Sequence, residues 1–171
     1  MVHTLLSDLE SAEYLELNCG NGSLIAELLA AKSTTYVCGV DLNMPDLFKA
    51  YETNTAAIAV NRCRIIEADI CDLPFVAETF DVVYAVNNSH TWRDRRSALE
   101  QAYRVLRTGG CLVLALRVKG STWLTAQGED LEAANGVVDI LREIGFEVTR
   151  TELVECSTVS NEFWIKAERF L

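Results

Sequence analysis

From Tyr14 to Ala30 the sequence reads "YLELNCGNGSLIAELLA", an apolar run carrying Glu16, a turn holding Gly20 and Gly22, and then a helix-like apolar pattern. Glycine reaches left-handed backbone angles at little cost and lets a ligand approach the chain closely. The first turn of the helix that follows offers N–H groups without intrahelical partners. Three more polar residues fall at matching places: Asp41 closes the strand-like "TTYVCGVD", Asp69 follows "CRIIEA", and Asn87 follows "FDVVYAV". Each also has a plain reading, the glycines as shapers of a tight turn and the aspartates as turn formers or helix caps. Brought together, they would ring one turn with carboxylates and an amide, and an Asp at the end of a second strand is well placed to accept both hydroxyls of a ribose. His90, in "NNSHTW", is one of two histidines. Its near-neutral titration suits a proton acceptor, and it reads equally as a loop residue packed on Trp92 or capping a helix at Asp94.

These residues meet only if the elements carrying them alternate in the right way. Short apolar or β-branched runs bounded by turn residues predict strands over residues 14–17, 34–41, 63–68, 80–86 and 111–118. Between them lie predicted helices over 3–10, over 24–31 with Ser23 as cap, over 46–58 after Pro45, over 94–106 with Gly109 and Gly110 as its stop, and over 129–144. After Gly145 the pattern changes to two successive strands, "FEVTRTELVE" and "NEFWIKAERF", joined by a polar turn and therefore antiparallel. The expectation is one α/β domain over residues 1–171: a doubly wound, Rossmann-like sheet, mostly parallel, with a C-terminal antiparallel hairpin strand. In such a sheet ligands bind beyond the carboxyl ends of the strands, where the glycine turn, Asp41, Asp69 and Asn87 all fall.

Composition narrows the partners. The 171 residues carry 15 basic and 25 acidic side chains, a net charge of −10, which opposes approach to a phosphate backbone, so no nucleic acid partner is expected. The apolar runs are too short to span a bilayer and the start lacks a basic segment followed by an apolar one, so neither a membrane segment nor a leader is expected. Six cysteines without C-x-x-C spacing, mostly in strand-like surroundings, read as reduced packing residues of a cytoplasmic protein, with no metal site and no disulfide framework.

A dinucleotide fingerprint needs a third glycine where the helix packs on the sheet, and "GNGSLI" has Ile25 there. NAD and FAD are disfavoured. Five segments in order, "LELNCGNG", "VCGVDLN", "EADICDLPF", "FDVVYAVNNSHTW" and "ALEQAYRVLRTGGCLVLAL", resemble the motifs of the class I S-adenosylmethionine-dependent methyltransferases, above all the small-molecule branch similar to quinone-biosynthesis methyltransferases. The resemblance implies that Glu16, Asn18 and Gly20 face the methionine part of S-adenosylmethionine and that Asp41 holds the ribose hydroxyls with Leu42 against the adenine. It further implies that Asp69 accepts the adenine amino group, that the Ile70 backbone N–H donates to the base, and that Asn87 lies near the methionine amine. Two residues depart from the family pattern: Asn18 stands at the first glycine, and Thr108 where Pro is usual.

The resemblance also places His90 at the acceptor mouth, as the base for a hydroxyl acceptor. Arg93, Arg95 and Arg96 read as a solvated helix start, with binding of an acidic substrate as the other reading. Neither an N/D-P-P-Y/F motif nor a Pro-Cys nucleophile follows the fourth strand, which points to a small diffusible acceptor. Relatives place a lid-forming segment ahead of the first helix, and this chain begins almost at that helix. The expectations are methyl transfer to a small molecule from an open site, a site completed by a protein partner or homodimer that covers the open cofactor edge, or a methyltransferase-like scaffold that does not catalyse.

Overall fold

The structure, a computed structural model, describes residues 12–31, 35–86, 92–119, 129–156 and 160–170. The first strand, β1 (Glu13–Leu17), is the centre of the sheet, and its residues alternate between two cores. Leu15 and Leu17 face one side while Tyr14 faces the other, all three fully buried. A strand covered on both faces is apolar almost throughout; Glu16 is the exception.

From β1 the chain passes through α1 (Ser23–Ala31) to β2 (Tyr36–Asp41), then through α2 (Met44–Thr53) and α3 (Thr55–Ala59) to β3 (Cys63–Glu67). It returns to β4 (Phe80–Val86) on the other side of β1, then runs through α4 (Arg95–Val105) to β5 (Leu106–Lys119). After α5 (Glu129–Ile144) come β6 (Phe146–Cys156) and β7 (Ser160–Arg169). The seven strands are ordered β3-β2-β1-β4-β5-β7-β6. β3, β2, β1, β4 and β5 are parallel, and β7 is antiparallel to both β5 and β6. The direction in which strands are added reverses at β1, between β2 and β4, and the carboxyl ends there form the crevice expected of this topology. One core joins the sheet to Leu99 and Ala102 of α4 and Val137, Val138 and Leu141 of α5; the other joins it to Ile25, Leu28 and Leu29 of α1 and Leu47 of α2.

The predicted alternation and the C-terminal hairpin match this sheet; several element ends shift by one or two residues, and two elements differ more. The helix expected over 46–58 starts at Met44, with the Asn43 side chain accepting from the Asp46 N–H, and is broken at Asn54 into α2 and α3. Asn54 leaves the helical path because its buried amide donates to the carbonyls of Ala50 and Gly22, tying the helix end to the glycine turn. The second difference is β5, which begins at Leu106 with no turn after α4. Leu106 pairs with Phe80 and Cys111 with Val82, so Arg107 to Gly110 lie opposite Asp81 alone. Gly109 and Gly110 make an irregularity inside a strand, with Gly109 at φ +79°, instead of a stop before one. The helix expected over 3–10 lies outside the described residues.

Candidate functional site

Three left-handed residues build the turn after β1: Asn18 at φ +52°, Gly20 at +52° and Gly22 at +71°. Asn tolerates this region better than most side chains. Two bonds staple the turn to the end of β2, Cys19 N–H to the Val40 carbonyl and Gly20 N–H to Asp41 Oδ2, each at 2.9 Å. A Cβ at Gly22 would come within 2.6 Å of Asn54 Nδ2 and 2.9 Å of the Ala50 Cβ. The second glycine is therefore required twice, by its backbone angle and by the closeness of α2.

The close approach of helix to sheet is solved differently from a dinucleotide fold. Ile25 of α1 fills the place of the missing third glycine, and the room comes from the strand beneath it: a Cβ at Gly39 of β2 would lie 2.6 Å from Ile25 Cδ1 and 2.9 Å from Cys19 Sγ. The space has moved from the helix to the strand.

Beyond the carboxyl ends of β1, β2 and β3 opens a cavity of about 500 Å³, and Asn18, Gly20, Asp41, Leu42, Asp69 and Ile70 stand together in its wall. Asp41 accepts the Gly20 N–H on Oδ2 and the Asn43 N–H, at 2.9 Å, on Oδ1. Each oxygen retains acceptor capacity, since a carboxylate takes about four hydrogen bonds. Asp69 turns back on itself to accept the Cys71 N–H at 2.9 Å. Leu42, 57 % exposed, and the buried Ile70 form apolar walls.

Glu16 does not line the cavity. It is 4 % exposed, behind the turn, and accepts a hydrogen bond from the Tyr84 hydroxyl at 3.1 Å. Burial pushes its carboxyl up to about 8; the charge of Asp41 pushes the same way, and the bond from Tyr84 opposes. The Tyr84 hydroxyl is raised in turn by burial and by the carboxyl it faces. Asn87 and His90 lie outside the described residues.

Four wall residues escaped the sequence reading, Asn43, Asp46, Cys71 and Trp92, and a fifth, Arg93, reads in the sequence first as solvated. Asn43 was within reach of it, because an Asn two residues before a Pro that opens a helix is a cap signal. Cys71 and Trp92 carry no local signal and arrive by tertiary placement. The arginine cluster divides. Arg96 pairs with Glu143 of α5 and has its charge held by that partner, whereas Arg93 stands at the cavity. Among the described residues no cluster of His, Cys, Asp and Glu has the arrangement to hold a metal ion.

The wall is acidic and apolar, with Asp41, Asp46 and Asp69 against Arg93. Asp46 is paired with Lys49 at 3.3 Å, but Asp41, Asp69 and the buried Glu16 have no cation at ion-pair distance among the described residues. Such a donor-poor, carboxylate-rich set favours a ligand with hydroxyls and positive charge and disfavours a pyrophosphate.

Residues 15–114 match the family described as "Methyltransferase domain". Among curated proteins, the 27-O-demethylrifamycin SV methyltransferase of Amycolatopsis mediterranei is 33% identical over 91% of this chain and 61% of its own length. The cycloartenol-C-24-methyltransferase of Arabidopsis thaliana is 26% identical over 78% of this chain and 44% of its own. The chain thus spans about half the length of the curated relatives it matches, and their names, covering O- and C-methyltransferases, do not single out a quinone-biosynthesis branch. Among solved structures, a SAM-dependent methyltransferase from Methanosarcina mazei superimposes with a TM-score of 0.78 at 21% identity, over 98% of this chain and 97% of its own. The [4+2]-cyclase SpnF does so at 0.82 and 16%, over 96% and 78%. That fold houses more than one chemistry, and the site has to decide between them.

Proposed function

The chain belongs to the methyltransferase domain family, and from that premise we propose that it binds S-adenosylmethionine in the cavity beyond β1, β2 and β3 and transfers its methyl group to a small-molecule acceptor. The observation that carries this reading is the acidic crevice itself, in which Asp41 pins the left-handed turn and faces an opening lined by Leu42, Asp69 and Ile70. The residues suit the cofactor: Asp41 and Asp69, which among the described residues take only neutral hydrogen-bond donors, match a ligand with a sulfonium, an ammonium and ribose hydroxyls.

Asp41 accepts from the ribose hydroxyls, Leu42 and Ile70 enclose the adenine, and Asp69 accepts from its amino group. Asn18 and Gly20 border the methionine end, with Asn87 near its amine; Glu16 lies buried behind them, its carboxyl pushed up to about 8 by burial. When bound, S-adenosylmethionine supplies an electrophilic methyl group. The protein's task is then to align an acceptor atom with it, exclude water and, for a hydroxyl acceptor, receive the proton at His90. His90→Gln should lower turnover about 10²–10⁴-fold and leave cofactor affinity intact; an equal loss of folding stability would assign His90 to packing instead.

Among the described residues no helix is long and apolar enough to cross a membrane. The five cysteines whose side chains are described are free, which supports a reducing, cytoplasmic setting. The exposed Leu42 and Arg93 leave one side of the wall open, and a protein partner or second copy over that side would make cofactor affinity rise with partner or protein concentration. Calorimetric titration with S-adenosylhomocysteine and, separately, NAD tests the cofactor; binding of NAD alone would sink the reading. A screen of hydroxyl, amine and thiol acceptors with methyl-labelled cofactor then identifies the acceptor class.

A further inference from the structure

The segment from Asp69 to Thr79 brings Asp69, Ile70 and Cys71 into the cavity wall without a helix or strand of its own. Its order comes from α4, beside which it runs. Near the start of that helix, Cys71 Sγ lies 3.5 Å from the Asp94 carbonyl. Further along, the Leu73 N–H donates to Gln101 Oε1 at 3.2 Å. Next, Arg104 donates from Nη2 to the Leu73 carbonyl at 2.9 Å and from Nη1 to the Phe75 carbonyl at 2.6 Å. Gln101 and Arg104 are three residues apart, on one face of the helix, and Arg104 also donates to Gln101 Oε1 at 2.7 Å, which fixes both side chains. Past the clamp, the Glu78 and Thr79 N–H groups bond to the carbonyls of Arg104 and Val105. Leu73 is buried, so both of its backbone polar groups need protein partners; Gln101 accepts from its N–H, and its carbonyl takes Arg104 together with the Phe75 N–H at 2.9 Å.

We propose that Gln101 and Arg104 are positioning residues for the nucleoside side of the cavity. By holding the backbone of Leu73 to Phe75 they keep the adjoining Asp69, Ile70 and Cys71 in the wall, so that the ligand meets a formed surface and does not have to order one. The inference rests on the S-adenosylmethionine reading for the identity of the ligand, and on the geometry alone for the clamp. A purely structural role for Arg104 would lower stability without touching the cavity, and the opposite end of the sheet provides the matching control. There Arg107 also makes two charge-assisted bonds, to Asp81 and Glu13, each at 2.7 Å, far from the cavity wall.

The experiment compares Arg104→Gln, Arg104→Lys, Gln101→Ala and Arg107→Gln in the full chain, by calorimetry with S-adenosylhomocysteine and adenosine and by peptide-resolved alkylation of Cys71. Arg104→Gln should weaken both ligands by the same factor, roughly 5- to 30-fold, since charge-assisted bonds to the loop are lost. Alkylation of Cys71 should become several-fold faster. Arg104→Lys should recover part of both effects, and Gln101→Ala should resemble Arg104→Gln; these two keep the test decisive should Arg104→Gln fail to fold. Arg107→Gln should change neither readout. Unchanged affinity and labelling in folded Arg104→Lys and Gln101→Ala would overturn the proposal, as would an equal loss of affinity in Arg107→Gln. If the unmodified protein binds neither ligand, the cofactor reading fails, and the labelling contrast between Arg104 and Arg107 variants still decides the clamp.

Discussion

The two ends of the sheet treat charge in opposite ways. At the amino ends, Arg107 at the start of β5 bridges Glu13 of β1 and Asp81 of β4, and the Glu13 N–H also donates to Asp81, so two acids from neighbouring strands are neutralised by one cation. At the carboxyl ends, Asp41 and Asp69 accept, among the described residues, only from neutral N–H groups, around a turn with three left-handed residues. Uncompensated negative charge in a crevice is unfavourable to the free protein and favourable to a cationic ligand. The amino end neutralises its acids, and the carboxyl end leaves Asp41 and Asp69 without a cation among the described residues.

The largest expected break in that contrast comes from the turn. Gly22→Val adds a Cβ 2.6 Å from Asn54 Nδ2 at a φ of +71°, and it should cost about 3–4 kcal/mol, combining backbone strain with overpacking. Binding of S-adenosylhomocysteine should vanish with it. Gly109→Ala sharpens the point, because its φ is +79° but nothing lies within 4 Å of the added Cβ. It should cost only about 1–2 kcal/mol, the strain alone, and leave binding unchanged. Urea denaturation and calorimetry on both variants separate the terms; equal losses would mean that the packing of α2 on the turn contributes nothing.

Asp41 is the next step down. Asp41→Ala removes the acceptors of Gly20 N–H and Asn43 N–H and, on the proposed reading, those of the ribose hydroxyls. It should weaken S-adenosylhomocysteine by about 1.5–3 kcal/mol, roughly 10- to 150-fold. Affinity equal to that of the unmodified protein would remove Asp41 from the site.

Glu16 gives an effect that is smaller per pH unit and accumulates as pH rises. Its carboxyl sits at about 8 in the folded chain against an ordinary 4.5, so the folded state holds a proton that the unfolded state gives up. Its contribution is fully present below about 4.5 and is lost as pH rises toward 8, at up to about 1.4 kcal/mol per pH unit. Glu16→Gln stays neutral throughout, and the difference in stability between the two proteins, followed from pH 5 to 8, should carry that slope. A flat difference would place Glu16 in contact with water or a cation.

What could be read in the sequence, and what could not, follows the range of the interactions involved. β4 (Phe80–Val86) and α5 (Glu129–Ile144) match their predicted bounds because an apolar run or a helical period between turn residues is a local signal. Asp41, Asp69 and the glycine turn were legible because strand ends are. The Ile25–Gly39 contact was not, since it joins a helix to a strand through space, and neither was the break at Asn54, which depends on the Gly22 carbonyl. The arginines near α4 show the same limit: Arg93 and Arg96 are alike in sequence, and only the position of Glu143 on α5 separates the wall residue from the surface ion pair.

The smallest predicted effect belongs to the amino end, and it tests whether the neutralised charges there are as solvent-screened as their exposure implies. The side chains of Arg107, Glu13 and Asp81 are 41%, 46% and 33% exposed. Ion pairs so open to water are worth about 0–1 kcal/mol each. When Arg107→Gln removes the cation, Asp81 keeps the Glu13 N–H, so neither acid is stranded in a dry interior. The variant should therefore lose about 0.5–1 kcal/mol at low ionic strength, and the loss should shrink as salt is raised toward 1 M, where the Debye length falls to about 3 Å. Denaturant titrations at low and high salt read this directly. A loss above about 2 kcal/mol that salt does not reduce would mean that these charges are desolvated, and the amino end would then resemble the surroundings of Glu16 at the other end, where a carboxyl lies out of reach of water.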